Sequence, residues 1–264
     1  MTQLSDLFIK TKSENRAALI GYMPAGFPTK DECIMAIKAM VAGGVDAVEI
    51  GYPYSDPVMD GPVIQAAAEL ALSNGTGASD VFDILEATVA MGVPAVVMTY
   101  WNPIERFGVE NFANEIVKRG GSGVITPDLT IEESVGWKSA CESAGINRIY
   151  VVAPSSSEER LPKVASECSG FVYAASLMGV TGTRNSVSGN ARSLVERVKR
   201  ATDTPVSVGL GVSTKDQAHE VAAYADGVIV GSAFIRQLQE SSSMGEGLER
   251  VEKLARDLSE GVRR

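Results

Sequence analysis

The chain is short of the residues on which many catalytic schemes depend. Its 264 residues include one histidine, His219, and three cysteines, Cys33, Cys141 and Cys168. The cysteines are far apart and none forms a Cys-x-x-Cys pair, which argues against a zinc knuckle or a disulfide framework and for a reducing compartment. With His219 in a polar segment read as helix, a surface position is expected and a histidine-centred metal site is not. No Gly-x-Ser-x-Gly or Ser-His-Asp set is present, and no dinucleotide fingerprint follows the first apolar run. Basic charge is also scarce: 24 Lys and Arg against 33 Asp and Glu leave a net charge of −9. The densest basic group, Arg197, Lys199 and Arg200, is a short scatter on one expected helix, so a nucleic-acid footprint is absent. An anionic ligand would have to be held by local dipoles. No apolar run reaches membrane-spanning length, and the opening Met1-Thr-Gln-Leu-Ser-Asp-Leu-Phe8 has no basic, apolar leader pattern, so a cytoplasmic location is expected.

What the chain does have is regular alternation. Short apolar runs stand at Ala18 to Tyr22, Ala47 to Ile50, Ala95 to Tyr100, Gly123 to Thr126, Arg148 to Ala153, Phe171 to Ser176, Pro205 to Gly209 and Gly227 to Val230. Between them lie amphipathic segments at 31–41, 81–91, 109–119, 131–143, 158–167, 191–201 and 215–224. Glycines follow several of these, as at Gly43-Gly44, Gly92, Gly120-Gly121 and Gly145, where a left-handed C-cap is expected. The strands are apolar throughout rather than alternating, as a parallel sheet covered by helices requires. The expected architecture is a single α/β domain over residues 1–264, a (β/α)8 barrel, with an open doubly wound sheet as the alternative. Extra helices are expected at 4–13 and 63–72, and a last helix at 248–258 to close the outer ring.

In such a barrel, chemistry sits at the C-terminal ends of the strands. Glu49 lies at one such end within Ala47-Val-Glu-Ile50, and Asp60 lies in the Pro- and Gly-rich loop that follows. A carboxylate in an apolar strand is costly to bury ionised, so Glu49 is either a working acid or a group that caps a helix or pairs with a buried arginine. Asp60 before Gly61-Pro62 is either its partner in acid and base work or a turn former. Asp56, in Ser55-Asp-Pro57, reads as a turn residue. Gly209-Leu-Gly-Val-Ser213 follows the seventh strand and Gly231-Ser232 opens a short helix after the eighth; together they form a candidate phosphate site. The polar segment from Met178 to Gly189 reads as a lid or a plain surface loop. No strand end carries the lysine that a Schiff-base aldolase needs.

Taken together, Val48 to Pro62, Met98 to Pro103, Gly179 to Gly182, Gly209 to Gly211 and Gly231-Ser232 closely resemble the α subunits of tryptophan synthase, in collinear order from Leu4 to Leu258. The resemblance implies a (β/α)8 lyase that splits indole-3-glycerol phosphate into indole and glyceraldehyde 3-phosphate without a metal or cofactor of its own. It also implies a β-subunit partner carrying pyridoxal phosphate in an α2β2 heterotetramer, reached by indole through a tunnel. Carried over by position, Glu49 shuttles protons and Asp60 holds the indole N–H. Gly182, Gly211, Gly231 and Ser232 bind the phosphate; Tyr173 and Thr181 lie near the substrate; Tyr22, Met98, Ile125 and Val151 line the indole pocket. Thr181 would also orient Asp60. The loop from Pro53 to Asp60, Asn102-Pro103 and Pro127-Asp128 would face the partner. Tyr22 stands where Phe is expected, Leu177 where an Arg is expected, and Tyr52 and Met59 are larger than expected. A stand-alone lyase, another phosphate-handling barrel enzyme and a non-catalytic module that activates the partner are the competing readings.

Overall fold

A computed structural model describes residues 2–176, 184–209 and 211–263, with the backbone alone described at 184–189. Helix α1 (Gln3–Ser13) precedes β1 (Ala18–Pro24), followed by α2 (Lys30–Ala42) and β2 (Ala47–Gly51). Helices α3 (Pro62–Ser73) and α4 (Ala78–Val89) lead to β3 (Ala95–Met98), then α5 (Trp101–Phe107), α6 (Val109–Lys118) and β4 (Gly123–Thr126). Next come α7 (Val135–Ala144), β5 (Asn147–Val152), α8 (Arg160–Glu167), β6 (Val172–Ala175), α9 (Arg184–Lys199) and β7 (Val206–Gly209). The order closes with α10 (Lys215–Ala222), β8 (Gly227–Val230), α11 (Ser232–Gln239) and α12 (Met244–Gly261).

All eight strands pair in parallel and in chain order, with β8 returning to β1, so the sheet is a closed barrel. The expected open-sheet alternative is excluded. Nearly every strand residue is buried because helices cover the outside and side chains fill the inside. The third expected strand runs furthest past its end: β3 stops at Met98, and Trp101 opens α5 after two further residues. The β-forming Thr99 and Tyr100 extend the apolar run in sequence, but the Asp128 carboxylate accepts from the Trp101 N–H at 2.9 and 3.1 Å and starts a helix there. Likewise α7 starts at Val135 rather than near Ile131, since 131–133 form a turn.

Local signals set the helix ends. Thr29 and Thr214 cap α2 and α10 by accepting from the backbone N–H of Glu32 and Gln217, both at 3.3 Å. Gly145 ends α7 with φ +74°, a left-handed conformation that favours glycine. At Gly43 the requirement is space: a Cβ there would lie 2.4 Å from the Cβ of Ala255 and 2.5 Å from the Glu252 carbonyl, so glycine lets α2 pack closely on α12.

Strand register decides which residues face the barrel axis. Register partners in parallel strands point to the same side and alternate residues to opposite sides. Tyr22 pairs with Glu49, Glu49 with Val96, Met98 with Ile125, Val151 with Tyr173, Tyr173 with Ser207, and Gly209 with Ile229. Alternation links these pairs into one inward set. At the opposite face of the barrel, Arg16 grips Asp46 through two hydrogen bonds of 2.6 and 2.8 Å, and the same carboxylate accepts from the Leu19 N–H at 2.9 Å.

Candidate functional site

A cavity of about 280 Å³ opens at the C-terminal ends of the strands. Its wall includes Glu49 and Asp60 from the β2 side, Tyr22 and Met98 from β1 and β3, and Tyr173 from β6. Gly211, Gly231 and Ser232, from the loops after β7 and β8, complete it. Sequence reasoning thus finds eight residues that meet in one space.

Glu49 is 1% exposed, and neither carboxyl oxygen has a hydrogen-bond partner among the described residues. Among the described residues the alternative of a permanent ion pair with a buried arginine is therefore not realised. Burial, reinforced by the negative charge of Asp60, pushes the Glu49 carboxyl up to about 8. Its neutral, proton-carrying form consequently dominates at pH 7. Asp60 is half-buried, and burial raises its pKa as well, with the Tyr100 hydroxyl working in the opposite direction. Burial thus raises both acids of one cavity, and only Asp60 has a hydrogen bond pulling the other way, a difference of environment that suits general acid and base chemistry.

The loop carrying Asp60 is fixed from outside. The Tyr100 hydroxyl accepts from the backbone N–H groups of Val58 and Met59 at 3.1 and 3.2 Å, and the Gln65 side-chain amide donates to the Asp60 carbonyl at 2.8 Å. Tyr54 stacks near Tyr100 with ring centroids 5.1 Å apart, and its hydroxyl accepts from the Asn102 side chain at 3.0 Å. Asp56 is exposed and accepts from its neighbour Ser55 at 2.6 Å, as a turn residue does. Tyr100 has a part that sequence reasoning missed, because it acts across 41 and 42 residues of chain with no local motif.

Close approach explains the glycines. A Cβ on Gly51 would lie 2.3 Å from the Tyr22 hydroxyl, and one on Gly231 would lie 2.9 Å from the same ring. Tyr22 therefore fills space that two glycines leave open, spanning from the carboxylate side to the β8 side. Its own pKa is raised well above the usual phenol range, first by burial, then by the charges of Asp60 and Glu49. A Cβ on Gly209 would lie 2.4 Å from the Tyr173 hydroxyl. Gly211 adopts φ +72°, and Gly231 immediately precedes α11, where Phe234 and Ile235 donate back to the Gly231 carbonyl and the N–H groups of Ser232 and Ala233 are left without an intrahelical acceptor. Both features suit an anion held by backbone donors.

Ile125 and Val151 belong to the inward set by register but are not on the cavity wall; Ile125 is fully buried and Val151 is half-buried beside Tyr173. The expected lid residues Thr181 and Gly182, and Leu177 before them, lie outside the described residues. His219 is exposed on α10, its Nδ1 3.1 Å from the Arg263 carbonyl. Among the described residues, no group of three or more His, Cys, Asp or Glu is placed to hold a metal ion, and no helix is long and apolar enough to cross a membrane. Arg236 on α11, passed over in the sequence, also lines the cavity.

Comparison with known proteins gives one consistent answer. A relative from Streptomyces avermitilis, a tryptophan synthase alpha chain, is 54% identical over 261 residues, covering 98% of this chain and 94% of its own. The Thermobifida fusca tryptophan synthase alpha chain is 52% identical, covering 100% of this chain and 98% of its own. A chain in a structure of Mycobacterium tuberculosis tryptophan synthase superposes with a TM-score of 0.92 at 48% identity, covering 100% of this chain and 99% of that one. The family model for the tryptophan synthase alpha chain matches residues 8–263, and the chain belongs to that family.

Proposed function

We propose that this chain cleaves indole-3-glycerol phosphate to indole and D-glyceraldehyde 3-phosphate, with Glu49 as the proton shuttle and Asp60 as the acceptor for the indole N–H. The observation that carries the assignment is the Glu49 carboxyl, buried without a partner among the described residues and held in its protonated form near neutral pH, inside a cavity that also holds Asp60. Family membership supplies the substrate.

The steps balance without an added reactant. The Glu49 carboxylic acid gives its proton to indole C3, and positive charge spreads to the ring nitrogen, where the Asp60 carboxylate accepts the N–H and stabilises it. The Glu49 carboxylate then takes the proton of the hydroxyl on the adjacent side-chain carbon. The oxygen electrons form the aldehyde carbonyl, the bond between that carbon and C3 breaks, and its electron pair restores the neutral indole. Glu49 ends protonated, ready for another cycle. Tyr22 and Met98 pack against the indole, Tyr173 lies beside the glycerol chain, and Gly211, Gly231 and Ser232 hold the phosphate through backbone donors. Thr181 and Gly182 would add contacts from the following loop, and Ile125 and Val151 would support the indole from behind.

The chain acts as the α subunit of a cytoplasmic α2β2 tryptophan synthase, passing indole to a β subunit that carries pyridoxal phosphate. An indole-release assay with and without β subunit tests the whole reading. Wild type should produce indole, and Glu49→Gln, which keeps the shape but cannot relay a proton, should lose at least about 100-fold in kcat. Cleavage by Glu49→Gln at the wild-type rate would discard the shuttle.

A further inference from the structure

We propose that Arg236 is a substrate-binding residue that draws in and tethers the phosphate dianion of the substrate, an inference that rests on the cleavage reaction proposed above. Among the described residues on the cavity wall, Glu49 and Asp60 are acidic and Arg236 is the one base. A phosphorylated substrate approaching a protein of net charge −9 meets an unfavourable overall field. A single cation at the mouth counters that field where the phosphate enters.

Its place on the helix fits the task. Arg236 is four residues after Ser232, hence on the same face of α11, and a helical side chain leans over the turn N-terminal to its own Cα. It therefore leans toward Gly231 and Ser232, the backbone donors of the phosphate end. It is also uncommitted: Arg16, Arg119, Arg160 and Arg197 are each held by a carboxylate, whereas Arg236 has no ion pair among the described residues. The backbone donors of the glycine loops carry only partial charge. A guanidinium adds a full charge and a planar fork of donors matched to phosphate oxygens.

Because Arg236 is exposed and is proposed to meet the phosphate rather than the carbons of the scissile bond, it acts on ground state and transition state alike. Such uniform binding appears in KM and leaves kcat in place. The test compares Arg236→Lys, Arg236→Gln and Arg236→Glu with wild type at low and high salt. At low salt, KM for indole-3-glycerol phosphate and the inhibition constant of inorganic phosphate should rise in the order Lys, Gln, Glu. The Gln variant should be about 5- to 10-fold weaker, with kcat within about twofold. The difference should shrink as salt screens the charge, and KM for the dephosphorylated compound should not change. A side chain needed only for packing would not rank its replacements by charge. Values within about twofold of wild type in all three variants at low salt would overturn the proposal. Calorimetric titration with inorganic phosphate alone needs no turnover. It reads Arg236 even if the chain fails to cleave the substrate, an outcome that would instead remove the proposed reaction.

Discussion

At the scale of the residue, Glu49 is a site where function opposes stability. In the unfolded chain its carboxyl ionises near the ordinary value of 4.5, whereas in the folded protein it holds its proton to about 8. Between those values the unfolded state gives up a proton that the native state keeps, so unfolding is progressively favoured as pH rises. Below about 4.5 the two states bind the same proton and the handicap vanishes; above about 8 it is complete, at several kcal/mol by the usual conversion of about 1.4 kcal/mol per unit. Glu49→Gln removes the titration. Chemical denaturation of both proteins should give similar stabilities at pH 4.5 and a growing advantage for Glu49→Gln up to pH 8. Parallel curves over that range would show that Glu49 titrates normally. If, as proposed, that acid form starts the reaction, kcat/KM must fall as pH rises through about 8. A profile flat to pH 9 would place the working acid elsewhere.

At the scale of the element, the loop between β2 and α3 matters most, because it carries Asp60 and owes its shape to another loop. Tyr100, between β3 and α5, supplies one oxygen that accepts two of its backbone N–H groups, while Tyr54 and Asn102 continue the contacts toward the surface. Tyr100→Phe deletes that acceptor and keeps the ring. At about 1 to 2 kcal/mol for the lost hydrogen bonds, kcat/KM should fall about 10-fold through misplacement of Asp60. The melting temperature should move little, since the loop lies outside the packed barrel. An unchanged kcat/KM would mean that the loop holds its shape without Tyr100. The limits of sequence reading have the same origin. Strand positions were legible because a strand buried on both faces must be apolar, and Glu49 stood out as an acid that breaks that rule. The same all-apolar character hides depth: nothing local says that Met98 reaches the cavity while Ile125, its register partner, stays behind the wall. Tyr100 looked like the end of a strand because it acts on loop residues that only the closed barrel brings near, and Arg236 stayed unmarked because nothing local says that its helix borders the cavity.

At the scale of the whole molecule, the two ends of the barrel divide the labour. The C-terminal end holds an acid unpartnered among the described residues, close-packed glycines and open backbone donors, features that cost stability and that serve chemistry in the proposed function. The N-terminal end holds the opposite kind of feature, and the Arg16 and Asp46 pair is its clearest case. The two side chains are 13% and 15% exposed, the guanidinium meets the carboxylate with two hydrogen bonds, and Asp46 also accepts from Leu19 at the second residue of β1. This clamp joins the start of β1 to the turn before β2, so it helps fix the register that brings Tyr22 level with Glu49 at the far end. Asp46→Ala leaves a largely buried guanidinium with Glu14 as its remaining carboxylate and leaves the Leu19 N–H without that acceptor. The expected cost is about 3 kcal/mol, which for a domain of this size lowers the melting temperature by roughly 6 to 12 °C. Where the variant remains folded, kcat should stay within about twofold of wild type, because β1 and β2 are still zipped along their length. Calorimetry and an indole assay on the same sample separate the two effects. A large loss of kcat in fully folded Asp46→Ala would show that the stability end and the catalytic end are coupled through β1 rather than independent.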